Sequence, residues 1–320
     1  MPKDSENPGY YVTSPPKNAA ESAFFLVLGA PRGGTTLLIH SLARMGIFVG
    51  EKIPFTGEDP HYARYISAGN EDAWHELIKT RSEAHKRHAW KFPQLIHETK
   101  FLSRLPASTR LILVFRDPVA TGIRGFKATN QPFLVEAETS LDYQMRLLRF
   151  AKSFSGPILF VSYEKVLMNP HTLSDALRAF TGITDQVKLD RVREGVKPSP
   201  SFYLNRDSEW KRKELSRGLQ ACLDRLTSRE VCGWAFFPGA PDKPVNLEIE
   251  LESGAVFHTL ANQRRNDLKE GGIHPTGQCG FRFPFPSSEL LAPGDLVHLR
   301  EVDSQVEFEG GPFLFNATHP

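Results

Sequence analysis

Residues 24–38 read FFLVLGAPRGGTTLL, and this stretch is the most informative part of the chain. The apolar run FFLVL suits a buried strand, and the glycine-rich turn after it leads directly into apolar residues at helical spacing. Gly29, Gly33 and Gly34 allow the backbone to curl so that several N–H groups point at one anion. A helix N-terminus also favours negative charge. The stretch therefore predicts a strand, an anion-binding loop and a helix.

The loop differs from the phosphate-binding loop of nucleotide kinases at one position. That loop follows the pattern G-x-x-x-x-G-K-[ST]. Gly29 and Gly34 keep the spacing, but Thr35 stands where the lysine belongs, so ATP or GTP hydrolysis is disfavoured. A turn that merely packs a helix onto a sheet would explain the glycines. It would leave the charge of Arg32 and the hydroxyls of Thr35 and Thr36 without a reason, so anion binding is the favoured interpretation.

Three further apolar runs predict buried strands, at residues 88–92, 111–115 and 158–161. Helical patterns lie between them, in the rows Leu38, Leu42, Met45, Val49 and Leu141, Met145, Leu148. Another helix has clear ends, because Asn169 can cap it, Pro170 suits its first turn and Gly182 follows it. Strands that alternate with helices predict an α/β domain with a parallel sheet in three layers.

The character of the sequence changes in its last third. Short strand-like pieces separated by Pro and Gly begin with VCGWAFFP and continue through PVNLEIELE to LVHLRE and QVEFE. We therefore expect a flexible leader over residues 1–22, an α/β domain over 23–217 and a small all-β, sandwich-like domain over 228–320. Residues 196–227, rich in Arg and Lys, are expected to form a closing segment or linker.

Composition limits the classes of function. The chain has 39 Lys and Arg residues against 37 Asp and Glu residues, so it lacks the charge excess of a nucleic-acid-binding protein. Its three cysteines are widely spaced, which predicts neither a metal cluster nor a disulfide framework. The first residues lack the apolar segment of a signal peptide, and no apolar run is long enough to span a bilayer. These features predict a cytoplasmic protein, and they leave the oligomeric state open.

Four stretches together resemble the sulfotransferases that use PAPS (3′-phosphoadenosine-5′-phosphosulfate). The loop PRGGTT at 31–36 resembles the family's P-R-S-G-T-T, and AWKFP at 89–93 resembles its W-K-x-P segment. VFRDP at 114–118 resembles the strand-end R-x-P motif, and the segment 160–183 resembles Y-E-x-L-x-x-x-P with its following helix. The resemblance spans residues 24–206 and implies a P-loop-type fold with PAPS as co-substrate and no metal.

The resemblance also implies roles for individual residues. The loop would hold the 5′-phosphosulfate end of the donor, and Arg116 would bind its 3′-phosphate. The family usually has a serine eight residues beyond that arginine, where this chain has Arg124. The donor-binding residues expected are Pro31, Arg32, Gly33, Gly34, Thr35, Thr36, Arg116 and Arg124. Arg32 and Lys91 would stabilise charge on the transferred group, because sulfuryl transfer needs in-line geometry and charge stabilisation.

An acceptor hydroxyl needs a general base. Glu51 is the first candidate, because it falls near the catalytic glutamate of family members that sulfate tyrosine. Glu58, Asp59 and His61 are rivals, and Glu51 could equally be a polar loop residue. His97 could also serve, but a histidine on a helix surface explains it better.

The last third resembles β-sandwich modules appended to bacterial glycosyltransferases, through CGWAFFP and GFRFPFP. Trp234, Phe236 and Phe237 could stack on sugar rings or fill a sandwich core. The leading hypothesis is thus sulfuryl transfer to a hydroxyl, which the module suggests lies on a saccharide. A non-catalytic nucleotide- or glycan-binding scaffold and a P-loop kinase are the alternatives.

Overall fold

The structure is a computed structural model, and the chain in it divides into two compact units. The first contains residues 1–50 and 57–204, and the second contains residues 51–56 and 205–320. The structure describes residues 8–15, 22–51, 53–54, 56–129, 131–196, 218–288, 290–303 and 305–316. Most of the expected closing segment, residues 197–217, lies outside these ranges. Among the helices described, none combines the length and the apolar character needed to cross a membrane.

The strands are named in chain order. They are β1 (Tyr10–Val12), β2 (Ala23–Gly29), β3 (Ile53–Pro54), β4 (Arg87–Lys91), β5 (Thr109–Phe115), β6 (Ile158–Ser162), β7 (Gln220–Leu226), β8 (Glu230–Phe236), β9 (Val245–Leu251), β10 (Val256–Ala261), β11 (Gln263–Arg264), β12 (Gln278–Pro284), β13 (Leu296–Glu301) and β14 (Phe313–Leu314).

The helices are named in the same way, and a 3₁₀ turn at Pro93–His97 stands beside them. They are α1 (Thr35–Arg44), α2 (Pro60–Ser67), α3 (Glu71–Ala84), α4 (Thr99–Ser103), α5 (Pro118–Thr129), α6 (Phe133–Ser153), α7 (Tyr163–Met168), α8 (Pro170–Thr181), α9 (Gln186–Glu194) and α10 (Asn266–Glu270).

The first unit is built on a five-stranded sheet in the order β1-β6-β5-β2-β4. Strand β2 lies between β4 and β5 and pairs with both in parallel, and β5 pairs with β6 in parallel. These are the strands that the apolar runs predict, so the α/β class is confirmed. The carboxyl ends of β2, β4 and β5 therefore meet at one edge of the sheet, where ligands of open α/β sheets bind.

Helices cover both faces of this sheet. The alternate residues Phe24, Leu26 and Leu28 of β2 pack in one buried cluster with Trp74 of α3 and Leu147 of α6. On the opposite face, the ring of Phe25 lies 6.1 Å from the ring of Phe180 in α8. Because successive strand residues point to opposite faces, an unbroken apolar strand such as FFLVL is buried on both sides.

Helix α8 begins and ends where the sequence predicts. The Asn169 side chain accepts a hydrogen bond of 3.1 Å from the His171 amide, and Pro170 occupies the first helical position. Gly182 follows the last turn with a φ of 71°, the left-handed conformation that glycine adopts without strain.

Part of the expected leader is a strand. Residues 10–12 form β1, which pairs antiparallel with β6 at the edge of the first sheet. The Thr13 side chain extends this pairing, because its hydroxyl accepts a hydrogen bond of 3.0 Å from the Ile158 amide. The strand was not predicted because three residues of an edge strand carry little periodicity. The Pro, Ser and Asn residues around them are typical of a flexible segment.

The second unit contains two antiparallel sheets. One has the order β10-β9-β13-β14-β3 and the other β11-β12-β8-β7. Side chains from both sheets share one buried cluster, with Leu247, Ile249 and Val297 from the first sheet and Val231 and Phe281 from the second. The expected sandwich-like packing is therefore visible in the described residues.

Two segments of this unit differ from the sequence expectation. The all-β region begins at β7, within the stretch expected as a closing segment. The sequence did not mark this strand, because only one of its residues is buried and it lacks an apolar run. Residues 51–56 also belong to this unit, and in them Ile53 is buried and pairs with Leu314. Glu51, the first candidate for the general base, lies in this segment and is exposed.

Candidate functional site

The loop after β2 has an unusual backbone. Arg32 has a φ of 61° and Gly34 a φ of 99°, so both residues lie in the left-handed region. A non-glycine residue in that region is uncommon, and such strain concentrates at functional sites. The Gly33 amide donates a 2.8 Å hydrogen bond to the Ala30 carbonyl, which closes the turn. Helix α1 then starts at Thr35 with Gly34 as its N-cap.

Two loop glycines are required by close contacts. A Cβ on Gly33 would stand 2.7 Å from the Ala30 carbonyl oxygen. A Cβ on Gly34 would overlap the aromatic ring of Tyr163, which packs directly against the backbone there. No larger residue fits at either position unless the loop or the ring moves. The loop is therefore a tight backbone cradle at the N-terminus of α1, where the first helical amides lack intrahelical acceptors.

Lys91, the last residue of β4, contacts the other end of the loop. Its side chain is buried, and its ammonium donates a 2.8 Å hydrogen bond to Glu58 Oε1 and lies 3.5 Å from the Thr36 hydroxyl. Burial lowers the pKa of Lys91, and the negative charge and hydrogen bond of Glu58 partly offset that effect. The side chain of Glu58 is 31% exposed, so this pair joins the buried loop to the surface.

Arg116, directly after β5, contacts the beginning of the loop. Its Nη1 donates a 2.9 Å hydrogen bond to the carbonyl of Arg32, and its guanidinium carbon lies 4.5 Å from the centre of the Tyr163 ring. The left-handed backbone at Arg32 and this hydrogen bond therefore occur at the same residue. The loop is held on both sides, by Lys91 from β4 and by Arg116 from the end of β5.

The Arg116 guanidinium retains hydrogen-bonding capacity. Its Nε is buried, and the described part of the chain offers it no hydrogen-bond acceptor, since Glu164 Oε1 lies 3.7 Å away. A buried cationic donor without an acceptor is costly. The site around Arg116 is therefore suited to an anion that accepts from this face.

A second guanidinium lies within electrostatic range of Arg116. Burial lowers the pKa of Arg116 and the charge of Arg124 lowers it further, whereas Tyr163, Glu164 and Asp117 act in the opposite direction. Arg124 is half-buried on α5, two turns after Arg116. Two cations that repel each other are stabilised together by an anion between them. Arg124 therefore adds positive charge to the surroundings of Arg116, which also include the carboxylates of Glu164 and Asp117.

Neighbouring residues fix the backbone around Arg116. Gln144 of α6 donates a 2.9 Å hydrogen bond from Nε2 to the Arg116 carbonyl. Glu164 Oε1 accepts a 3.1 Å hydrogen bond from the Asp117 amide, and Asp117 Oδ1 in turn accepts one of 2.8 Å from the Ala120 amide at the start of α5. The turn from β5 into α5 is thus held by side chains of α6 and α7.

Asp59, beside Glu58, fixes the chain at the entry of α2. It is fully buried, caps α2 through a 2.8 Å hydrogen bond from the His61 amide and forms an ion pair with Arg81 of α3. The guanidinium of Arg81 also lies 4.8 Å from the centre of the Tyr62 ring. Because its neighbour is anchored on two sides, Glu58 is presented to Lys91 from a fixed backbone.

The structure brings several predicted site residues together. Lys91 contacts Thr36, and Arg116 contacts Arg32. The hydroxyl-bearing Thr35 and Thr36 open α1, and Pro31 lies in the same turn. Among the rival bases, Glu58 contacts Lys91, while His97 is exposed with its ring 4.6 Å from the ring of Tyr143.

Sequence reasoning missed the part played by Gln144. It takes Tyr163 as an architectural residue that positions the loop, but it does not locate the contact of that ring with Gly34. Gln144 lies in a helical pattern whose apolar residues gave the only signal, so nothing in the sequence marks it. The glycine at position 34 does signal a close approach, but its partner is more than a hundred residues away in the chain.

No family model matches the chain, and no curated protein matches it. Among solved structures, the chain is similar to the sulfotransferase domain from the olefin synthase of Synechococcus PCC 7002. The two are 16% identical with a TM-score of 0.41, over 61% of this chain and 88% of that chain.

Proposed function

We propose that the first unit transfers a sulfuryl group from PAPS to an acceptor hydroxyl. The observation that carries the proposal is the surroundings of Arg116. This guanidinium donates a hydrogen bond to the carbonyl of Arg32, and its buried Nε has no acceptor among the described residues. It also interacts electrostatically with Arg124. A cationic region beside a glycine loop suits a nucleotide with two separate anionic groups.

The donor is proposed to bind through two sets of residues. The amides that open α1, with the hydroxyls of Thr35 and Thr36 and the charge of Arg32, suit the 5′-phosphosulfate. Arg116 and Arg124 suit the 3′-phosphate, because a guanidinium can donate two parallel hydrogen bonds to phosphate oxygens. Arg124 thereby replaces the serine of the resembling family with a stronger anion ligand.

Sulfuryl transfer to a hydroxyl requires charge stabilisation and one proton transfer. PAPS supplies an activated sulfuryl group when it is bound. Lys91, the loop amides and Arg32 stabilise the charge that develops on the bridging oxygen as its bond to sulfur breaks and the acceptor oxygen bonds to sulfur. The acceptor proton passes to a carboxylate.

We propose Glu58 as that carboxylate, in preference to Glu51. Glu58 contacts Lys91 at 2.8 Å and its side chain is partly exposed, so it can meet both the buried ammonium and an acceptor from solution. Glu51 has the weaker support, which is its position in the sequence alone. Glu58 and Lys91 then work together, since the ammonium holds the carboxylate in one orientation.

The acceptor is proposed only as a hydroxyl compound. The expectation of a saccharide depended on aromatic residues of the second unit. Phe236 is buried with Leu268 and Cys279, Trp234 packs against that cluster, and Phe237 packs against the sandwich core. These aromatic side chains fill cores. They therefore give no support to a sugar-stacking surface, or to a saccharide acceptor inferred from one.

The proposal is tested by incubating the full chain with ³⁵S-labelled PAPS and a panel of phenolic, aliphatic and sugar hydroxyl compounds. The expected result is labelled acceptor together with stoichiometric 3′,5′-ADP, both lost in Lys91→Ala. Binding of 3′,5′-ADP without transfer to any acceptor would favour a scaffold. Preferential binding of ATP, with phosphoryl transfer, would favour a kinase and overturn the proposal.

A further inference from the structure

Helix α6 turns a row of large apolar side chains toward solvent. Leu134 is 75% exposed, Leu141 50%, Met145 48% and Leu148 41%. The same helix buries Ser140, Tyr143 and Leu147 against the first unit. The apolar row that predicts this helix in the sequence is therefore its outward face, and the inward face carries a serine and a tyrosine. A contiguous exposed apolar row marks an interaction surface.

The spacing of the row is that of a helix that packs along another helix. Positions 134, 138, 141, 145, 148 and 152 alternate steps of four and three residues, the a/d pattern of a coiled-coil seam. Leu141, Met145 and Leu148 occupy the middle of the seam, Leu134 and Glu138 precede them, and Lys152 follows them. All of these side chains are exposed. The pattern indicates an elongated helical partner rather than a compact ligand.

Charge is separated along the same helix. Among the exposed charged residues of α6, the acidic ones lie in its first half and the basic ones in its second half; they are Glu138 and Asp142, and Arg146, Arg149 and Lys152. Glu136 is instead turned toward α5, where it accepts a hydrogen bond from the Thr129 hydroxyl. A second copy of α6 that runs antiparallel places its basic half against the acidic half of the first. A two-fold axis near the middle of the helix makes this surface complementary to itself.

Helix α5 extends the apolar surface. Val119, Ile123 and Phe126 are exposed and repeat the steps of four and three. α5 packs closely on α6, because a Cβ on Gly122 would already stand 3.0 Å from the Cβ of Ala137. The two helices therefore form one firmly packed hairpin, which is the kind of rigid element that presents an interface.

We propose that the chain forms a homodimer through antiparallel pairing of α6 with α6 of a second copy. Leu141 of each copy packs on Met145 of the other, and in this register Glu138 of each lies beside Leu148 and Arg149 of the other. This inference goes beyond the proposed function and does not depend on it. An anionic membrane surface is the poorer occupant, because half of the helix is acidic and the favoured surface for lipid is uniformly basic.

Analytical ultracentrifugation of the full chain, from about 1 µM to about 200 µM, tests the proposal. The expected result is a monomer–dimer equilibrium in this range. Met145→Glu and Leu141→Glu should each weaken dimerisation about tenfold or more, because they bury a charge at the centre of the seam. Val187→Glu and Met168→Glu are matched controls, since both residues are exposed apolar side chains on other helices, and both should leave the equilibrium unchanged.

Charge reversal tests the antiparallel arrangement itself. Glu138→Lys and Arg149→Glu should each weaken the dimer, and the double variant should restore it, because the exchanged charges again face each other. Circular dichroism checks that each variant is folded. A chain that stays monomeric, a dimer unaffected by Met145→Glu, failure of the double variant to restore pairing, or a monomer that binds anionic vesicles would each overturn the proposal.

Discussion

The Lys91 ammonium donates a 2.8 Å hydrogen bond to Glu58 Oε1, and the two residues are separated by 33 positions in the chain. Lys91 is the last residue of a buried parallel strand, whereas Glu58 precedes the capping residue of α2. The pair therefore depends on the fold and not on local sequence. The pair places a cation and a carboxylate together next to the loop that follows β2.

The first prediction separates the two candidate bases. Glu58→Gln should lower the rate of sulfuryl transfer about 10²- to 10⁴-fold, the usual contribution of a general base, while 3′,5′-ADP binding changes little. Glu51→Gln is the matched variant and should retain the transfer rate. Steady-state rates with labelled PAPS provide the measurement. The assignment fails if the two variants exchange these results.

The second prediction concerns the approach of Tyr163 to the loop. Gly34→Ala should abolish nucleotide binding, because its Cβ overlaps the Tyr163 ring in addition to the strain of a positive φ. Gly69→Ala isolates the strain alone, since Gly69 has a φ of 62° and no atom within 4 Å of its Cβ position. Calorimetric titration of both variants should show loss of binding only in Gly34→Ala. Equal binding by both would contradict the cradle.

The third prediction follows from His88, whose ring is buried and stacked 4.8 Å from Phe24. Burial, followed by the charge of Arg81, lowers the pKa of His88 from 6.5 to about 3. Between these values the unfolded chain holds more protons than the folded one, so stability is full above pH 6.5 and falls as the pH is lowered toward 3. The loss over this window is at most about 5 kcal/mol.

Urea unfolding followed at several pH values measures this dependence. His88→Phe keeps a stacked ring but cannot be protonated, so the slope of stability against pH should be shallower than in the unmodified chain between pH 4 and pH 6.5. An unchanged slope would show that His88 does not carry this part of the acid sensitivity.

The fourth prediction compares a buried ion pair with an exposed one. Asp59→Asn retains an oxygen that can cap α2 but leaves the buried charge of Arg81 without its counter-charge, and should cost about 3–5 kcal/mol of unfolding free energy. Asp72→Asn removes an exposed partner of Arg104 and should cost less than about 1 kcal/mol. Chemical denaturation gives both values. Similar losses in the two variants would contradict the buried pairing.

The sequence predicts what depends on local pattern. The parallel strands follow from short, largely apolar runs, and the ends of α8 follow from Asn169, Pro170 and Gly182. Features that depend on distant pairing were missed. β1 and β7 are edge strands with little buried apolar surface, and residues 51–56 join the second unit because Ile53 pairs with Leu314. The outward face of α6 was also unpredictable, since apolar spacing alone does not say which face is covered.

The candidate site shows the same division. The glycines, Arg32, Lys91 and Arg116 could be named because each lies at or just after the end of a strand, and strand ends of a parallel sheet converge. The contacts of Arg116 with the Arg32 carbonyl, Tyr163 and Gln144 could not be named, because they join four separate elements. In the sequence, Glu58 is one of several candidates for the general base. Its contact with Lys91, which favours it, depends on the fold.

Isothermal calorimetry with 3′,5′-ADP, 5′-ADP and ATP tests the central claim most directly. We predict that 3′,5′-ADP binds at least about tenfold more tightly than 5′-ADP or ATP. Arg116→Ala should remove this preference, and Arg32→Ala should weaken both adenosine diphosphates. Arg104→Ala, which alters an exposed arginine of the same unit, should change neither. Equal affinity for 3′,5′-ADP and 5′-ADP in the unmodified chain, or a preference that survives Arg116→Ala, would contradict the account.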